Sequence, residues 1–91
     1  MFTIKVADNF HYMDDGETYT LGTFPSLEQA VQRSKEIVDT FLEKNYRPGM
    51  TCNDLFDQYK SFGDDPYILG KGKISFSAWD YAEKRCKEIC V

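Results

Sequence analysis

Long apolar runs are missing from this chain: no more than three hydrophobic residues stand together, as in Tyr67-Ile68-Leu69. A bilayer-crossing helix needs about 20 consecutive apolar residues, so no membrane span is expected. Met1 to Ala7 is too short and too alternating for a secretory signal, and the expected compartment is the cytoplasm. Cysteine is scarce and odd in number: Cys52, Cys86 and Cys90, with no C-x-x-C spacing. Cys86 and Cys90 lie four apart on an expected helix, whose backbone aims both along one face and disfavours a strain-free bridge. Reduced, partly buried thiols are expected. Histidine occurs once, at His11, so no metal-ligand spacing is complete, and no metal or cofactor is expected. Excess positive charge is also missing: 11 Lys and Arg stand against 15 Asp and Glu, for a net charge of −4. Nucleic-acid binding draws its affinity from cations against phosphate, so the balance disfavours it. Gly70-Lys71-Gly72 lacks the spacing of a phosphate loop.

What is present suits one small domain spanning residues 1–91, with 42% hydrophobic and 15% aromatic residues. Phe2, Ile4 and Val6 alternate with polar neighbours and predict a half-buried strand. Thr18 to Phe24 predicts a second, with Tyr19 and Leu21 on one face. Asp14-Asp15-Gly16-Glu17 lies between them and has the residues of a tight reversal. A register with Met13 opposite Thr18 would set Tyr12 against Tyr19 and Phe10 against Leu21. Asp8-Asn9 breaks the alternation and marks a candidate bulge.

Ser26 and Gln29 have capping-box spacing. Leu27, Ala30, Val31, Ser34, Ile37, Val38, Phe41 and Leu42 then recur at helical spacing and predict one long amphipathic helix. Its end is marked by Lys44, Arg47 and Pro48-Gly49. Thr51 and Asp54 open a short helix with Leu55, Phe56 and Tyr59 on its apolar side, and Gly63 closes it. Asp64-Asp65-Pro66 reads as a loop, Tyr67-Ile68-Leu69 as a short apolar run and Lys73-Ile74-Ser75-Phe76 as a candidate second short strand, with one strand or two left open over residues 67–76. Ser77 and Asp80 cap a last helix that turns Ala78 or Trp79, Ala82, Cys86, Ile89 and Cys90 inward. The order β-β-α-α-β-α predicts an α+β fold: an antiparallel sheet of three strands, or four, with helices packed on one face.

Three candidate sites follow. The stretch Asp8 to Asp15 holds His11 and Tyr12 among carboxylates, and a histidine titrates near neutrality. Asp64 and Asp65 are adjacent carboxylates that could orient a cation or a basic partner. Tyr67 and Trp79 fall at element edges, where an aromatic ring can serve as a contact. Cys52, at a helix start, is a conceivable nucleophile if His11 reaches it.

The strings Ala7-Asp8-Asn9-Phe10-His11-Tyr12-Met13-Asp14, Ser61-Phe62-Gly63-Asp64-Asp65-Pro66 and Phe76-Ser77-Ala78-Trp79-Asp80-Tyr81-Ala82 together resemble a family of short bacterial proteins of uncharacterised function. That resemblance implies a stand-alone bacterial or phage-like cytoplasmic domain and carries over no site residue. With no catalytic signature, the leading expectation is a protein-interaction or accessory module that uses an open sheet face and aromatic loops. Its partner would be another protein or a second copy. The alternative is a small-ligand binder or enzyme centred on His11, Tyr12 and the Asp64-Asp65 loop.

Overall fold

The computed structural model describes residues 1–8, 18–72 and 74–90. Strand β1 (Phe2–Asp8) is followed by β2 (Tyr19–Phe24), α1 (Leu27–Asn45), α2 (Cys52–Phe62), β3 (Asp64–Leu69) and α3 (Ala78–Ile89). The strands form one antiparallel sheet in the order β2-β1-β3. The class is α+β, as the element order predicts.

Residues directly opposite in an antiparallel pair share a face. Ile4 lies opposite Ile68, Val6 opposite Pro66, and Phe2 opposite Phe24, so these point to the helical side. Thr3, Lys5 and Ala7 lie opposite Leu69, Tyr67 and Asp65 on the other side. On the helical side, Ile4, Val6 and Ile68 bury against Ala30 of α1. A second cluster, of Val38, Leu42, Leu55, Tyr59, Ala78, Ala82 and Cys86, forms where the three helices meet. Phe76 packs against both.

Each helix begins on a side-chain cap, which satisfies an otherwise orphaned backbone N–H. The Ser26 hydroxyl accepts from the Gln29 N–H at 3.2 Å, and the Ser77 hydroxyl from the Asp80 N–H at 3.3 Å. At Thr51 the box is reciprocal: its hydroxyl accepts from Asp54, and the Asp54 carboxylate accepts from the Thr51 N–H. The Arg47 guanidinium donates to the carbonyls of Lys44 and Tyr46 and so satisfies the end of α1.

Three expectations need correction. The third strand is Asp64–Leu69, so Asp64-Asp65-Pro66 is not a loop, and Ile74–Phe76 is not a strand. Proline cannot donate to a ladder, but β3 is an edge strand with a partner on one side only, where that loss is tolerated. Ile74 and Phe76 still reach the sheet core, without strand pairing. The hairpin register also differs, because Tyr19 lies opposite Val6 rather than Tyr12. The irregularity falls where Ile4 pairs with Gly22 and Lys5 with Thr20, leaving Leu21 as the extra residue. This bulge changes the phase of β2, so that Leu21 and Phe24, three apart, both pack on the helical side. The expectations for the bulge at Asp8-Asn9, for His11 and Tyr12, for the turn at Asp14-Asp15-Gly16-Glu17 and for Lys73 lie outside the described residues.

Gly63 ends α2 for a steric reason rather than a torsional one. Its backbone is extended, with φ −80° and ψ 170°, so no left-handed cap forms. A Cβ there would stand 2.5 Å from the Tyr59 ring and 2.8 Å from the Tyr59 carbonyl oxygen. Tyr59 is fully buried, packs edge-on to Phe41 at 5.8 Å between centroids, and donates from its hydroxyl to the Asp64 carbonyl at 2.8 Å. The chain therefore passes from α2 into β3 with no intervening loop, held by one side chain.

Gly63→Ala should cost about 1–3 kcal/mol through overpacking, read as a lower urea midpoint in equilibrium unfolding. Ser34 gives the opposite expectation. Its side chain is fully buried on the α1 stripe, and its hydroxyl has no partner among the described residues. Ser34→Ala removes a desolvated hydroxyl without opening a cavity and should raise stability by about 1 kcal/mol in the same assay.

Candidate functional site

The sheet is two-sided in composition and one-sided in packing. α1 packs along all three strands and α3 against β3, on the same side. No described element covers the other side. There Tyr67 is 37% and Leu69 is 47% exposed, next to each other in β3 alternation. Lys5 lies between Tyr67 on one flank and Thr20 on the other. The Lys5 ammonium has no ion-pair partner among the described residues. Asp65 belongs to this face, opposite Ala7, and its partial burial pushes its carboxyl above the usual carboxylate range.

The structure separates the expected site residues. Asp64 and Asp65 are adjacent in a strand, so their side chains leave on opposite faces and do not converge on one cation. Among the described residues no group of His, Cys, Asp and Glu is placed to hold a metal. Tyr67 lies within β3 rather than in a loop, and faces away from the helices. Trp79, in the first turn of α3, packs half-buried against the helical cluster, on the other side of the sheet. His11 and Tyr12 lie outside the described residues.

A feature missed in the sequence is a groove of about 300 Å³ between α1 and the sheet. Leu21, Ile37 and Phe41 line its apolar part, and Arg33 and Lys44 bring two cations to it. Tyr19, Thr40 and Asp64 complete the rim. The visible signal was the series Arg33, Ile37, Phe41, Lys44, which falls on one side of a helix and flanks the buried stripe.

Two other clusters of reactive side chains have structural work. The Tyr81 hydroxyl donates to the Asp39 carboxylate at 2.9 Å, and Arg85 Nε donates to the same carboxylate at 2.9 Å. Arg85 also pairs with Glu88 at 3.2 Å, and Lys35 Nζ stands 5.3 Å over the Tyr81 ring. The contacts of Tyr81 and Arg85 with Asp39, and of Lys35 with Tyr81, tie α3 to α1. Cys52, Cys86 and Cys90 are free thiols. Burial pushes the Cys86 thiol up to about 11, with the neighbouring Cys90 and Cys52 adding to the rise, so at neutral pH it is an inert core group.

No family model matches the chain, and neither the curated proteins nor the solved structures yield a match. The surfaces of this fold are therefore the basis for a functional reading.

The Tyr81 cluster generates a pH prediction. Burial first, then the hydrogen bond to Asp39 and its negative charge, push the Tyr81 hydroxyl up to about 12 from 10.0, with Arg85 opposing. The protonated form is favoured in the fold. Its contribution to stability is full below pH 10 and is lost as pH rises towards 12. Alkaline titration of phenolate absorbance, with Tyr81→Phe subtracted from the parent, should place the Tyr81 step above 10.0. Asp39→Asn should move that step back towards 10.0.

Proposed function

We propose that this chain is a small protein-interaction module whose contact surface is the helix-free face of the sheet. The observation that carries the reading is the asymmetry of the sheet: both packed helices lie on one side, and the other exposes Tyr67 and Leu69 beside Lys5, which has no ion-pair partner among the described residues. Tyrosine is enriched at energetically important contacts because its ring buries much area with little conformational freedom to lose. Lys5 adds direction. An ammonium half-buried amid apolar neighbours favours a partner that brings a carboxylate to it. The partner that fits is a protein surface with an apolar patch and an acidic residue at its edge. Catalysis has less support, because neither Asp64 and Asp65 nor Tyr67 and Trp79 come together in one cleft.

A photo-crosslinking side chain at position 69 tests this in cells expressing the full chain. A discrete adduct is expected there and not from the same group at Glu43, on the exposed side of α1. The adduct's mass separates a second copy from a different protein, and Lys5→Glu should reduce its yield severalfold. Position 69 giving no more adduct than position 43 would refute the reading.

A further inference from the structure

The groove beside α1 has its own chemistry, independent of the open sheet face. Arg33, Ile37, Phe41 and Lys44 stand at relative positions 0, 4, 8 and 11, along one side of the helix. The bulge in β2 turns Leu21 towards them, and Tyr19 follows from strand alternation. α1 starts beside the Phe24 end of the sheet and runs towards the Tyr19 and Asp64 end, as its neighbours along the helix show. Arg33 therefore stands at one end of the groove. Lys44 and Asp64, of opposite sign, lie towards the other, with Arg33 and Lys44 roughly 16 Å apart along the helix axis at about 1.5 Å per residue.

Arg33 is half-buried and has no carboxylate within ion-pair distance among the described residues. Arg85 and Lys60, also half-buried, are matched by Asp39 with Glu88 and by Asp57, whereas Lys35 stands over the Tyr81 ring and Lys5, like Arg33, has no carboxylate at that distance among the described residues. A guanidinium that has lost part of its hydration gains most from a planar anion that its fork can meet with two hydrogen bonds. The apolar side chains of Leu21, Ile37 and Phe41 continue from it along the groove and offer no partner for a second charge. The volume of about 300 Å³ is at the lower end of the range for small-molecule sites.

We infer that this groove binds a small amphipathic carboxylate, with its carboxylate on Arg33 and its apolar body over Leu21, Ile37 and Phe41. Lys44, at the far end of the groove, adds attraction at long range rather than a second anchor. A phosphate group fits less well, since no second cation or helix N-terminus converges on Arg33.

The test is a titration of the isotope-labelled full chain, followed by amide NMR, with phenylacetate, indole-3-acetate and 4-methylpentanoate as probes. Phenylacetamide is the neutral control, and acetate supplies the carboxylate without the body. Saturable shifts are expected at residues 19–22 and 33–44 for at least one probe. Arg33→Gln and the amide control should each weaken binding about tenfold or more, the loss of one charged contact. Arg33→Lys should restore part of the affinity. A Leu69→Asp variant, altered only on the open face, should bind as the parent does, which separates this site from the interaction surface. Three outcomes would overturn the inference: no saturable shift with any probe at millimolar concentration, equal binding of acid and amide, or unchanged binding in an Arg33→Gln variant with a native spectrum.

Discussion

One helix has to satisfy two cores. The stripe Ala30, Ser34, Val38 and Leu42 runs the length of α1 and is fully buried. Its first turns meet Ile4, Val6 and Ile68 of the sheet, and its later turns meet Leu55, Tyr59, Ala82 and Cys86 of the other helices. Neither cluster has enough apolar surface to stand alone in a domain of this size. The sheet, α2 and α3 are placed by what they share with this stripe. The Tyr81–Asp39–Arg85 contacts then fix the angle of α3 on the polar border of the same helix.

The second constraint is the seam at Tyr59 and Gly63. A buried tyrosine that donates to the Asp64 carbonyl starts β3 immediately after α2, and a glycine is needed for the ring to lie so close. That start sets the phase of the strand. Pro66 and Ile68 turn inward, and Asp65, Tyr67 and Leu69 turn out. The uncovered apolar residues on the open face are thus a consequence of packing on the opposite face, with period two as the link. The same alternation parts the two adjacent carboxylates, giving one to the groove and one to the open face.

Two surfaces with different chemistry result. One is the open sheet face, apolar at Tyr67 and Leu69, with the Lys5 ammonium unpaired among the described residues. The other is concave, apolar at Leu21, Ile37 and Phe41, with the Arg33 guanidinium unpaired among the same residues. Among the described residues neither cation has a carboxylate of this chain within ion-pair distance, so each is open to a complementary charge on a ligand. Flatness suits a protein surface and concavity suits a small molecule, so both can operate on one domain without competing.

The helices could be read from the sequence because their signals are local. Caps at Ser26, Thr51 and Ser77 and apolar residues at helical spacing act within a few turns, and all three helices fall where those signals place them. The class of fold, the exposed aromatic at Tyr67 and the absence of a long apolar segment follow from composition and order in the same way. The start of the third strand was missed because Asp64-Asp65-Pro66 has the local chemistry of a turn, and only pairing with β1 and the bond from Tyr59 override it. The bulge at Leu21 was not read from the sequence, because its purpose depends on α1 lying above it. The groove was invisible for that reason: Arg33 and Leu21 are made neighbours by tertiary packing. Local periodicity determined which residues form helices and which face of each is apolar. Long-range pairing decided the strand register, the parting of Asp64 from Asp65, and which charges were left without a partner, because those depend on residues that only the folded chain brings together.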